Sequence, residues 1–286
     1  MKLTITLKNA SRAALQWRLL VIWLGSVLLP TLLLALPVWN TLSAILDQSL
    51  RAPELARALD LLAVADILQE LRRNWTSLQV GGLGAVALTL LLSPFLTGVI
   101  TTAGRAQETA RFRELFAGGM HEYPRMFRML LWAIVPLGLA LAIGGALSDA
   151  AADYANSAAL ESDAANWALA ATIATAVLLA LANLTLDAGR AQLAIDRRRT
   201  SAVKAWWSGV KLLLRRPGQM LGSYVLLTVV GLTLAGLLAI GRLNIEGSNG
   251  LLLVAGFLVA QLLALTMAWM RAARLFALMT VSATNR

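Results

Sequence analysis

The sequence predicts an all-α polytopic membrane protein with six transmembrane helices, arranged as three hairpins and joined by amphipathic interfacial helices. Three observations carry that prediction. The 286-residue chain is 58% hydrophobic and only 14% charged, with mean hydropathy +0.70, which is more apolar surface than a soluble core of this size buries. Six runs reach the roughly 20 residues that a bilayer core about 30 Å thick requires of a helix. Basic and acidic residues segregate between alternate flanks of those runs.

The first run, residues 17–39, follows a basic start and has Arg18 at its mouth. Its apolar region is too long for a cleaved signal peptide, and no A-x-A site is followed by a plausible mature start. It therefore reads as a retained span, which Pro30 is expected to kink. Residues 40–77 mix leucines with charges, and Pro53 suits a helix start. They form an external amphipathic helical loop of one or two surface helices. The second span, 78–103, opens on Gly81, Gly82 and Gly84. The third, 127–148, carries the small-residue row Gly138, Ala142 and Ala146. An acidic loop near residues 148–163 leads to the alanine-rich fourth span, 165–186, and the fifth and sixth cover 220–241 and 250–270. Small residues of this kind let helices approach closely and cohere as one domain.

With the N-terminus inside, 20 of the 25 Lys and Arg residues fall on the cytoplasmic side, while ten of the fifteen acids fall outside. Both termini are then cytoplasmic, and most of the net charge of +10 is a topology signal.

The pentapeptide AGRAQ occurs at residues 103–107 and again at 188–192, each time closing an apolar run. The sixth span ends in the looser WMRAAR, and the sequel also recurs: LFAG at 115–118 answers WWSG at 206–209, and Pro124 answers Pro217. This is the mark of a repeated hairpin. Arg105, Arg190 and Arg271 are placed to anchor the helix exits among headgroups. Gly104 and Gly189 admit a close neighbour, and nothing after Ala103 forces the helix to break before Arg113.

Residues 190–217 contain the clearest amphipathic pattern, a basic cytoplasmic interfacial helix. Val203, Trp206, Trp207, Val210, Leu213 and Leu214 share one face, and Lys204, Ser208, Lys211 and Arg215 share the other. The candidate lipid-headgroup contacts are Arg105, Arg190, Lys204, Trp206, Trp207, Lys211, Arg215, Arg216 and Arg271. The partners expected are membrane lipids, through anionic headgroups of the cytoplasmic leaflet. Nucleic acid is not expected, because the aromatics lie on the apolar face instead of alternating with the bases.

Catalytic constellations are scarce. The chain has no cysteine and a single histidine, His121, and lacks G-x-S-x-G, Walker A and H-E-x-x-H patterns. No catalytic residue, cofactor or metal is expected. The polar exceptions near the inner spans are Asn183, Asp187 and Gln261, which mark the place for a polar cavity. Asp187 is expected to pair with Arg190 or Arg105.

Six spans in three hairpins, an A-G-x-x ending, a charged stretch with a W/F-x-G element and K-LLLRRP before the next span resemble the YciC-type family of bacterial inner-membrane proteins. The pattern is also similar to the membrane domain of some glycerophosphodiester phosphodiesterases, although this chain has no soluble catalytic domain. The resemblance implies a bacterial inner-membrane bundle connected with envelope lipids. The expected function is non-enzymatic: binding or helping to move envelope lipid or another amphiphile. The alternatives are a small transporter or transporter subunit with a polar path near Asn183 and Gln261, and a membrane assembly or scaffold factor.

Overall fold

In a computed structural model of the chain, residues 2–47, 61–106, 108–157, 160–245 and 250–284 are described. Among them are nine helices and no strand: α1 (Lys2–Ala14), α2 (Trp17–Leu46), α3 (Leu61–Arg73), α4 (Trp75–Arg105), α5 (Phe112–Ser157), α6 (Glu161–Ile195), α7 (Ala202–Arg215), α8 (Pro217–Leu243) and α9 (Gly250–Ala283). Six of these, α2, α4, α5, α6, α8 and α9, are long and apolar enough to cross a membrane. Pro53 and the rest of residues 48–60, Gln107 and Arg286 lie outside the described residues.

The helices overrun the predicted spans. At 1.5 Å per residue, the 46 residues of α5 extend about 69 Å, well beyond one bilayer core. The acidic stretch expected as a loop is instead helical on both sides. Its alanines favour helix, and Glu161 and Asp163 occupy the first turn of α6, where the helix dipole welcomes negative charge. Conversely, the first AGRAQ does not continue as helix. α4 stops at Arg105 and Ala106 is extended, while Arg18 donates to the carbonyls of Thr109 and Ala110 in the connector. The second AGRAQ stays helical to Ile195.

Along most of their length these helices turn apolar side chains outward; Leu83, Ile134, Leu237 and Leu251 are all exposed. Lipid is the medium that covers such a surface, so this is an integral, multi-pass membrane protein. The tightly packed core sits toward one end, the end that carries Arg105, Arg190 and Arg271, here called the basic end. Ile100 of α4, Leu184 and Leu193 of α6, and Leu275 and Leu278 of α9 are buried there. The helix that carries the sixth span does not end near residue 270. α9 runs through Arg271 to Ala283, and its last three turns are core.

The three inner helices α4, α6 and α9 meet one another, and each is covered by an amphipathic segment from elsewhere in the chain. The first turns of α5 lie over α4, α7 lies over α6, and α1 lies over α9. Two crossings depend on glycine. A Cβ at Gly118 would collide with Thr102, and one at Gly209 would stand 2.7 Å from the backbone of Ala188 and Gly189. At the third, Ala10 and Ala14 are buried and the Trp269 indole donates to the Ser11 carbonyl at 3.1 Å. The chain's first helix thus closes a ring begun by its last.

Candidate functional site

Helix exits leave carbonyls without partners, and arginines at the basic end are placed to satisfy them. Arg105 donates to the Ala194 carbonyl at 3.1 Å, and Arg125 reaches those of Leu193, Asp196 and Arg199 at the C-terminal end of α6. Both guanidiniums share Glu122 of α5: Arg105 Nη2 lies 2.8 Å from Oε1 and Arg125 Nη1 lies 2.6 Å from Oε2. The Glu122 side chain is only 1% exposed. Arg105 was expected among headgroups; its guanidinium is instead committed to this ion pair, because the exits of α4 and α6 converge.

A second polar cluster joins α6, α8 and α9. Asp187, buried, pairs with Arg190 at 2.6 Å, one of the two partners expected for it. Arg271 donates to the hydroxyls of Ser93 and Thr97 on α4, at 3.1 and 3.2 Å, and its guanidinium lies 5.4 Å from the Trp23 ring centroid on α2. Arg274 donates to Tyr224 Oη and Thr228 Oγ1 on α8, at 3.2 and 3.3 Å. All four charged groups lie close enough to act electrostatically on one another or on Tyr224. Arg271, expected at the headgroup surface, is therefore turned inward between α2, α4 and α9.

On α7 the face assigned from sequence divides in two. Ala202, Ala205 and Gly209 are buried against α6, whose small residues leave room only for other small residues. Trp206 turns inward with them. Its Nε1 donates to Thr185 Oγ1 at 3.1 Å and its ring meets Trp132 edge-on, so this half-buried side chain packs within the bundle. Val203, Trp207 and Leu214 stay exposed beside Lys204, Lys211, Arg215 and Arg216. Lys211 Nζ sits 5.8 Å from the centre of the Trp207 ring. These residues keep the composition of an interfacial face, apolar and aromatic with a basic rim.

The polar cavity expected at Asn183, Asp187 and Gln261 does not assemble. Asn183 is exposed and donates to the Leu179 carbonyl of its own helix, whereas Asp187, one turn on, is buried in the basic-end core. Gln261 is half-buried, nearly three turns before Arg271.

An apolar opening lies elsewhere, between α2 and α4. A groove of about 530 Å³ is lined by Ser26, Val27, Pro30 and Leu34 on one wall and by Gly82, Ala85, Thr89 and Leu96 on the other. Its lining is almost wholly apolar, and its volume is in the range of small-molecule sites. Trp23 lies one turn from Ser26 and Ser93 one turn from Thr89, so the groove adjoins the place where Arg271 enters between α2 and α4. The available sequence signal was the pair Ser93 and Thr97, hydroxyls four residues apart in an apolar span.

No protein-family model, characterised protein or solved structure matches this chain.

Proposed function

We propose that this integral membrane protein is a non-enzymatic binder of a membrane amphiphile, an envelope lipid in a bacterial inner membrane, which it holds or helps to move. One observation carries the reading: an apolar groove between two lipid-facing helices that adjoins a part-buried arginine at the basic end. A lipid has that polarity, with chains for the groove and a polar head for Arg271. The excess of Lys and Arg at that end supports assigning it to the cytoplasmic leaflet. The exposed α7 face, Trp207 with Lys204, Lys211, Arg215 and Arg216, then lies at the same level and attracts anionic headgroups, at about 1 kcal/mol per base.

Gly82 offers a clean test. Nothing lies within 4 Å of where its Cβ would be, and it lines the groove, so Gly82→Phe fills the groove without displacing backbone. Wild-type protein purified in mild detergent is expected to retain lipid that native mass spectrometry detects, and Gly82→Phe to retain several-fold less at unchanged melting temperature. Equal retention by the two proteins would sink the reading. In the same cysteine-free chain, a cysteine at Asp153 should react with an impermeant thiol reagent from the outer side, and protection there would reverse the orientation.

A further inference from the structure

The second arginine cluster has more positive charge than its protein partners neutralise. Of Arg190, Arg271 and Arg274, only Arg190 is paired with a carboxylate among the described residues, that of Asp187. Among the described residues neither Arg271 nor Arg274 forms an ion pair; their partners are the neutral hydroxyls of Ser93, Thr97, Tyr224 and Thr228. Part-buried guanidiniums without a counter-charge are unfavourable inside a membrane bundle, so the cluster is poised for an anion. Arg274 also keeps a donor in reserve: its Nε is buried and has no hydrogen-bond partner. Nε and an adjacent terminal nitrogen form the fork with which arginine takes two oxygens of one oxyanion.

We propose that Arg190, Arg271 and Arg274 form a binding site for a phosphate monoester or inorganic phosphate. Two positive charges without an ion pair match a phosphate of about −1.5 to −2 at neutral pH, where a carboxylate supplies only one negative charge. The hydroxyls of Ser93, Thr97, Tyr224 and Thr228, which accept from Arg271 and Arg274, can rotate to donate to the oxyanion's remaining lone pairs. The proposal builds on the reading of the α2–α4 groove as an amphiphile site and names the head that such a molecule carries. The phosphate can arrive on a lipid through the groove or as the free ion.

Three probes in maltoside micelles separate these cases: inorganic phosphate, dioleoyl phosphatidic acid, and dioleoylglycerol, which has the same chains and no phosphate. Affinity is read from the ligand-dependent rise in melting temperature. Phosphate-bearing probes are expected to stabilise the wild type, and Arg271→Gln and Arg274→Gln to bind them at least about tenfold more weakly. Arg274→Lys, which keeps the charge but loses the fork, should also bind more weakly. Without ligand, Arg274→Gln should melt no earlier than the wild type, since it removes an unneutralised charge. A response to inorganic phosphate identifies the free ion as a source, and a response to phosphatidic acid alone identifies the lipid; either upholds the site. If dioleoylglycerol binds as tightly as phosphatidic acid and the arginine variants change nothing, the phosphate site is overturned while the groove reading stands. If none of the three binds, both fall.

Discussion

Replacing Glu122 with alanine should be among the most damaging single changes in this protein, at about 3–5 kcal/mol of stability. Its carboxylate is the shared counter-charge for Arg105 and Arg125, which arrive from different helices. Removing it leaves two part-buried guanidiniums facing each other at the junction of α4, α5 and α6. The loss exceeds that of an ordinary ion pair because the desolvation already spent on the arginines is no longer offset. Glu70→Ala provides the comparison. Glu70 pairs with Arg73, whose side chain is 68% exposed, and its removal should change stability by less than about 1 kcal/mol. Unfolding in mixed micelles, followed by circular dichroism, measures both. Equal effects would show that the basic end is solvated and that the charge cluster contributes nothing special.

The second large effect is expected at Gly209. A Cβ there meets backbone atoms of α6 at 2.7 Å, and neither helix can yield while Ala202 and Ala205 hold the same contact. Gly209→Val should lift α7 off α6 and cost about 3 kcal/mol, the upper end of ordinary overpacking. Gly218 sits in the first turn of α8 with nothing within 4 Å of its Cβ position. Gly218→Ala should therefore be neutral or slightly stabilising, by up to about 1 kcal/mol of helix propensity. Similar losses at the two glycines would mean that propensity, and not the helix crossing, sets the response.

The contrast between these residues shows what was legible in the sequence. Six long apolar runs and the segregation of charge require only composition and length, and the six spans follow from them. The duplicated AGRAQ signalled a repeat; in the structure a glycine of the following amphipathic segment crosses close to each copy, Gly118 at Thr102 and Gly209 at Ala188, but Gly104 packs on α9 and Gly189 on α7. The closure by α1 over α9 had no comparable signal. It joins residues some 258 positions apart, and local patterning carries no information about such a contact.

The arginines were harder to assign for a physical reason. A guanidinium at a membrane boundary serves equally well on a lipid phosphate, a carboxylate or a helix-end carbonyl. Sequence shows the arginine but not which acceptor the fold brings near it. Arg105 went to Glu122, Arg190 to Asp187, and Arg271 to hydroxyls inside the bundle, whereas Lys204, Lys211, Arg215 and Arg216 stayed outside. Trp206 and Trp207 show the same limit at one residue's resolution. They are neighbours on one helix; the first packs on Trp132 and the second is exposed. The α2–α4 groove is an absence of packing between helices, and no single residue announces it.

The central claim, that the α2–α4 groove holds the chains of an amphiphile whose head meets Arg271, is tested most directly by photo-crosslinking. A phosphatidic acid with a photoactivatable acyl chain would be bound to the purified protein, and the labelled peptides mapped by mass spectrometry. Label concentrated on residues 26–34 of α2 and 82–96 of α4, and lost in Gly82→Phe, is the predicted result. Label spread evenly over outward positions such as Ile134 and Leu237, and unchanged in that variant, would contradict it.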